Sequence, residues 1–139
     1  MQSLRRNLVA LISLALAIAS LGYTTWRNES SEAHRNIRQA GFRTLEVLEE
    51  LQVIVDARRY QGDRMRGDYV TGWARVNLIR DLGGLMPDPV PAATAALRET
   101  WQANFDGWYT DNDAQAEARI SQAIGTARDS TVQMLHSLK

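Results

Sequence analysis

Only two histidines occur in the chain, and one, His34, stands among Ser30, Ser31, Glu32 and Arg35. By residue type this group offers a nucleophile, a base and a carboxylate. Residues so close on one helix point to different faces, however, and no strand-to-helix elbow or oxyanion donor accompanies them. His34 therefore reads as an exposed histidine, and His136, near the end of the last helix, as a group suited to the negative end of the helix dipole. Residues 106–117 (DGWYTDNDAQAE) carry four acids. A calcium loop needs oxygen ligands at alternating positions and Gly at the sixth. Here Gly107 is second, and Trp108 and Tyr109 intervene, so a capped turn between helices is the better reading. Glu46, Glu49 and Glu50 have no histidine beside them and read as a solvated helix face. The chain contains no cysteine, which excludes disulfides, thiol catalysis and thiolate metal sites. No catalytic set, metal set or cofactor motif emerges, and the expectation is a protein that is not an enzyme.

The residues best suited to recognition are Arg58, Arg59, Tyr60, Tyr69, Trp73 and Arg80. Aromatic side chains can line a pocket in which a guanidinium meets a carboxylate. Tyr60 and Tyr69 flank a loop containing two glycines, 61–68 (QGDRMRGD). These six are the candidate ligand or partner site. The favoured reading of Trp73, Trp101 and Trp108, with Tyr60, Tyr69 and Tyr109, is nonetheless core filler, because aromatics at helical spacing usually are. Of these, Tyr60 and Tyr69 are the ones expected to be exposed.

What must position these groups begins with residues 7–26, an apolar run that follows Arg5 and Arg6 and whose only ionisable group is Tyr23. Twenty residues at ~1.5 Å each cover ~30 Å, the thickness of a bilayer's hydrocarbon core. Leu8, Val9, Leu11, Ile12, Leu14, Leu16, Ile18 and Leu21 together favour insertion by about −2 to −5 kcal/mol. Tyr23 and Trp26 stand where interfacial aromatics belong. The segment is expected to remain as a signal-anchor helix. The competing reading is a cleaved signal peptide, with Ala17-Ile18-Ala19 as a small-x-small cleavage site. Arg5 and Arg6 favour a cytoplasmic tail over residues 1–6, which puts residues 27–139 in the periplasm beside the inner membrane.

Beyond the anchor, apolar residues recur three and four apart. The expected helices are 32–60 (Ile37, Gly41, Leu45, Leu48, Leu51, Val55), 69–86 (Trp73, Val76, Ile79, Leu82, Met86), 91–108 (Ala93, Leu97, Trp101, Phe105, Trp108) and 114–138 (Ile120, Ile124, Ala127, Thr131, Met134, Leu138). The first either runs on from the anchor or restarts at the capping types Asn28, Ser30 and Ser31. Pro87, Pro89 and Pro91 force a connector, and Asp111, Asn112 and Asp113 supply a turn and a cap. No segment alternates like a strand. The fold class is all-α: an N-terminal transmembrane helix followed by an antiparallel bundle of about four helices.

Charge is balanced at 16 basic and 16 acidic residues, and no basic tract or basic-aromatic stripe appears, so a nucleic-acid partner is not expected. The expected partners are the lipid bilayer and either a second copy of the chain or another membrane protein. The leading function is a membrane-held structural or protein-interaction module, whose long heptad-like helix can pair with another helix. The second is a sensory or small-ligand-binding bundle. By architecture alone, the layout resembles the extracytoplasmic four-helix modules of bacterial chemoreceptors, in which the first helix extends from the membrane. That resemblance implies ligand binding. A transmitting receptor also needs a return span, and none follows before Lys139, so a partner would carry the signal.

Overall fold

The computed structural model describes residues 2–61 and 68–138, with the side chains of 2–9, 30 and 61 outside that description. Every regular element among them is helical: α1 Gln2–Asp56, a π-helical turn Ala57–Gln61, α2 Tyr69–Gly83, α3 Val90–Tyr109 and α4 Ala114–Ser137. The chain divides into two compact units, one ending at Asn36 and the other beginning at Ile37.

The first unit is the N-terminal stretch of α1. Its helical ladder passes through Asn28, Ser30 and Ser31 without a break. Ser31 donates its hydroxyl to the carbonyl of Arg27 at 2.9 Å, and Thr24 does the same to Ser20 at 2.8 Å. A hydroxyl that bonds one turn back along its own helix cannot cap a new one. Leu11, Ile12, Leu14, Leu16, Ile18 and Leu21 are all more than half exposed, between 53% and 70%. Among the described residues no helix is long and apolar enough to cross a membrane. Leu8 and Val9, which belong to the apolar run in the sequence, have side chains outside the described set.

The second unit is an antiparallel four-helix bundle, and its cross-links give the register. Between α1 and α4, Arg38 meets the carbonyl of Leu138 (2.6 Å), Glu49 meets Arg128 (2.6 Å) and Gln52 meets Ser121 (3.0 Å). Numbers rise on one helix as they fall on the other. The same holds for Glu50–Arg75 (2.6 Å) and Ile54–Gly72 between α1 and α2, and for Asn77–Arg98 and Gly83–Thr94 between α2 and α3. Asn104–Arg119 and Gly107–Ala116 relate α3 to α4 in the same way. Each helix packs on its sequence neighbours, and α4 closes the ring on α1.

The core is built from the stripes that the spacing marks out. Val47, Leu48, Leu51, Val55, Val76, Ile79, Leu97, Trp101, Trp108 and Ile120 are fully buried, each stabilising the fold by about 1.5–3 kcal/mol or more. Thr44, Thr94 and Thr131 are buried too, and each hydroxyl donates to the carbonyl four residues earlier, at 2.9, 3.1 and 2.8 Å. No buried donor is stranded there.

Element ends follow local chemistry. Helix α2 stops at Gly83 rather than running on to Met86: Leu85 and Met86 donate to the carbonyls of Leu82 and Gly83, a tightened turn that the Gly83-Gly84 pair permits. Helix α3 opens with Pro91 in its first turn, where a missing amide costs nothing. Asp68 caps α2 by accepting from the Thr71 amide (2.9 Å) and hydroxyl (3.0 Å), and Asp113 caps α4 through the Gln115 amide (2.8 Å). Asn112 supplies the left-handed residue of the α3–α4 turn, with φ of 53°.

Candidate functional site

The end of the bundle where α1 finishes and α2 begins gathers four of the six candidate recognition residues around Tyr109. The Tyr69 ring meets Tyr109 edge-on at 5.4 Å and Phe105 at 6.3 Å, Phe105 stacks on Tyr109 at 5.5 Å, and Trp73 lies 5.9 Å from Phe105. The Arg58 guanidinium sits 4.4 Å from the centre of the Tyr109 ring and donates to the Tyr109 carbonyl. Arg59 donates to the carbonyl of Asn112 at 2.7 Å. Both cations thus rest on main-chain carbonyls at and just past the C-terminus of α3, where the helix dipole is negative. Arg58 adds a cation–π contact. This arginine clamp ties the π-helical turn after α1 to the α3–α4 turn through the chain's own carbonyls.

Tyr60 is exposed on the π-helical turn next to that clamp. Arg80 belongs elsewhere: it pairs with Asp81 at 2.7 Å, eleven residues along α2 from Tyr69. At ~1.5 Å per residue that separates it from the aromatic end by ~16 Å along the helix. Trp73 is half-buried against Trp101 at 6.3 Å. Trp101 and Trp108 are fully buried at 5.0 Å from one another, and neither indole N–H meets an acceptor among the described residues. Trp73 and Phe105 lie within 6.3 Å of Trp101, and Phe105 and Tyr109 within 6.2 Å of Trp108, so aromatic rings are the neighbours of both indoles.

The remaining polar candidates also resolve into structural roles. Glu32 lies 3.8 Å from Arg35, and Ser31 bonds to its own helix, so neither serves His34; the Ser30 side chain lies outside the described residues. Among the described residues no three His, Asp or Glu side chains gather as a metal site would require. Asp68 accepts the Thr71 amide and hydroxyl, which holds its carboxyl below the usual carboxylate range. A hydrogen bond to Glu46, followed by the charge of Glu50, raises Arg43 above its ordinary value.

Among the described residues, four surface grooves are concave enough to hold a ligand. The first, about 620 Å³ between α1 and α2, has a floor of Val53 and Ile54 under Glu46, Glu49 and Glu50. Its glutamates are already paired: Glu46 with Arg43 (2.8 Å), Glu50 with Arg75 (2.6 Å) and Glu49 with Arg128 (2.6 Å). The second, about 530 Å³ between α3 and α4, sets alanines and threonines beside Leu97, Glu99 and Gln122, with Arg119 donating to Asn104 at 3.0 Å. The third, about 430 Å³ between α1 and α4, is lined by Arg38, Phe42, Leu45, Val132, Leu135 and His136. The fourth, about 500 Å³ along α1, is lined by Gln39, Phe42, Arg43 and Glu46, with Arg43 and Glu46 paired at 2.8 Å.

The third groove escapes a reading of the sequence by periodicity. Its one signal is Phe42, a large aromatic on the polar side of α1, which the structure leaves mostly exposed. No protein-family model matches the chain, and neither a curated protein nor a solved structure is significantly similar to it.

Proposed function

We propose that this protein is held in a membrane by a single helix and presents its bundle as a structural or protein-interaction module. The observation that carries the reading is the apolar side chains of the first unit. Leu11, Ile12, Leu14, Leu16, Ile18 and Leu21 point to several sides of α1 and are all more than half exposed in the single chain. A helix whose large apolar side chains face several ways, with no charged side chain among them, needs a hydrophobic surrounding. Lipid fits the length: the helical ladder starts at Gln2, so residues 7–26 measure ~30 Å along the axis. Tyr23 and Trp26, 6.3 Å apart and both exposed, suit the interfacial level with Arg27 beyond them. The basic tail, Arg5 and Arg6, favours a cytoplasmic N-terminus and a bundle on the periplasmic side of an inner membrane. The arginine clamp at Tyr109 and the paired grooves support a scaffold whose charges are satisfied internally, and a second copy or another membrane protein is the expected partner.

The test is a pair of C-terminal fusions combined with membrane extraction. A periplasm-dependent phosphatase should be active and a cytoplasm-dependent fluorescent protein dark, and the chain should stay with membranes through alkaline carbonate. Release into the carbonate supernatant would overturn the anchor. Activity of the fluorescent fusion alone would reverse the orientation. Crosslinking in intact membranes should yield a discrete higher-mass species, and a chain that stays monomeric throughout would remove the interaction role.

A further inference from the structure

We infer that the α1–α4 groove is a binding site for a monocarboxylate with an apolar tail, such as a medium-chain fatty acid. The inference stands apart from the membrane reading, because the groove lies wholly within the second unit.

The argument is the order of residues along the groove. Helices α1 and α4 run antiparallel, with Arg38 against Leu138 and Glu49 against Arg128. Arg38 and His136 therefore share one end, Phe42 and Leu135 the middle, and Leu45 and Val132 the other end. The lining has Arg38 and His136 at its head and is wholly apolar toward its tail, and among the described residues it includes no carboxylate. Arg38 donates one of its five N–H groups to the Leu138 carbonyl at 2.6 Å, which ties the guanidinium to the end of α4.

The span from Arg38 to Leu45 is ~10 Å of helix, room for an apolar tail of medium length. A carboxylate at Arg38 and His136 would form charge-assisted hydrogen bonds, and the tail would cover the exposed face of Phe42. The size falls within the range of small-molecule sites. The other three grooves each include a carboxylate that opposes an anionic head: Glu46, Glu49 and Glu50 in one, Glu99 in another and Glu46 in the last. Charge complementarity selects an anionic head, and the apolar lining selects a tail over a small inorganic anion.

The experiment uses the purified full-length chain, in zwitterionic nanodiscs if it partitions into lipid and in buffer if it does not. A photoreactive decanoic acid is crosslinked, and the modified peptides are read by mass spectrometry. Label should fall on the α1 and α4 peptides that carry Phe42 and Leu135. Excess decanoate should suppress it, while decanol and decyl phosphate should compete poorly. The Arg38→Gln/His136→Gln variant should lower groove labelling roughly tenfold, as for loss of charge-assisted hydrogen bonds. Val132→Trp, which fills the tail end and keeps both charges, should abolish it. Equal competition by decanol, or labelling unchanged in both variants, overturns the inference. Stronger competition by decyl phosphate than by decanoate would replace the carboxylate with a lipid-type phosphate and also overturn it as stated.

Discussion

Replacing Gly83 by alanine should destabilise the bundle, while the same change at Gly125 should stabilise it. Gly83 ends α2 against α3, and a Cβ built there would lie 2.1 Å from the hydroxyl oxygen of Thr94 and 2.8 Å from its Cβ and Cγ2. Thr94 cannot turn aside: it is buried, its β-branched side chain is stiff, and its hydroxyl already lies 3.1 Å from the carbonyls of Val90 and Pro91. The two helices must therefore part locally. Overpacking of this kind costs about 1–3 kcal/mol, and the helix preference of alanine returns at most ~1 kcal/mol at a helix end. A net loss of about 1–2 kcal/mol should lower the midpoint by roughly 4–15 °C for a bundle of this size. At Gly125, in the middle of α4, an added Cβ meets nothing within 4 Å, so the gain is the full ~0.5–1 kcal/mol of replacing glycine in a helix. Thermal unfolding of the full-length variants, followed by tryptophan fluorescence under one set of conditions, measures both. Thr94→Ala in the Gly83→Ala background should restore part of the loss, because it removes Oγ1 and Cγ2 and leaves only the Thr94 Cβ at 2.8 Å. A Gly83→Ala variant as stable as the parent, or one that Thr94→Ala fails to rescue, would refute the α2–α3 register described above.

Three further outcomes are expected. Arg58→Ala should cost about 1–2 kcal/mol, from the carbonyl hydrogen bond and the Tyr109 cation–π contact, and urea unfolding should detect it; an unchanged midpoint would show that the clamp carries no stability. Asp68 has a folded-state carboxyl below its unfolded value, so its stabilising share is complete above the ordinary carboxylate range and is lost as pH falls through the lowered value. Melting from neutral pH to about pH 3 should accordingly fall less steeply in Asp68→Asn, which keeps an acceptor for the Thr71 amide, than in the parent chain. Leu14→Asp places a charge in the middle of the apolar run at a cost of about 2.5–3.5 kcal/mol of insertion. It should move the chain into the carbonate-extractable fraction, and its retention in membranes would count against the anchor.

Much of the architecture is legible from residues within a few positions of one another. Apolar residues three and four apart mark out Leu48, Leu51 and Val55 or Ile120, Ile124 and Ala127 as buried faces because a helix repeats every 3.6 residues. Pro87 to Pro91 and Asp113 announce where those helices stop and start, since the prolines act through their own backbone and the Asp113 carboxylate through an amide two residues on. The balance of exposure along residues 10–26 likewise follows from composition alone. Local reasoning fails where two distant segments must meet. That Arg58 rests on the Tyr109 carbonyl, fifty-one positions away, depends on how α1 slides against α3. Arg80, of the same chemical type, falls on the wrong stretch of α2 and finds Asp81 instead. The pairing of Arg38 with Leu138 across a hundred residues, and with it the groove beside Phe42, has the same origin. Helical periodicity says which face turns inward. The axial register between helices comes from close contacts such as Gly83 on Thr94 and Gly72 on Trp101, and these exist only once the bundle has closed.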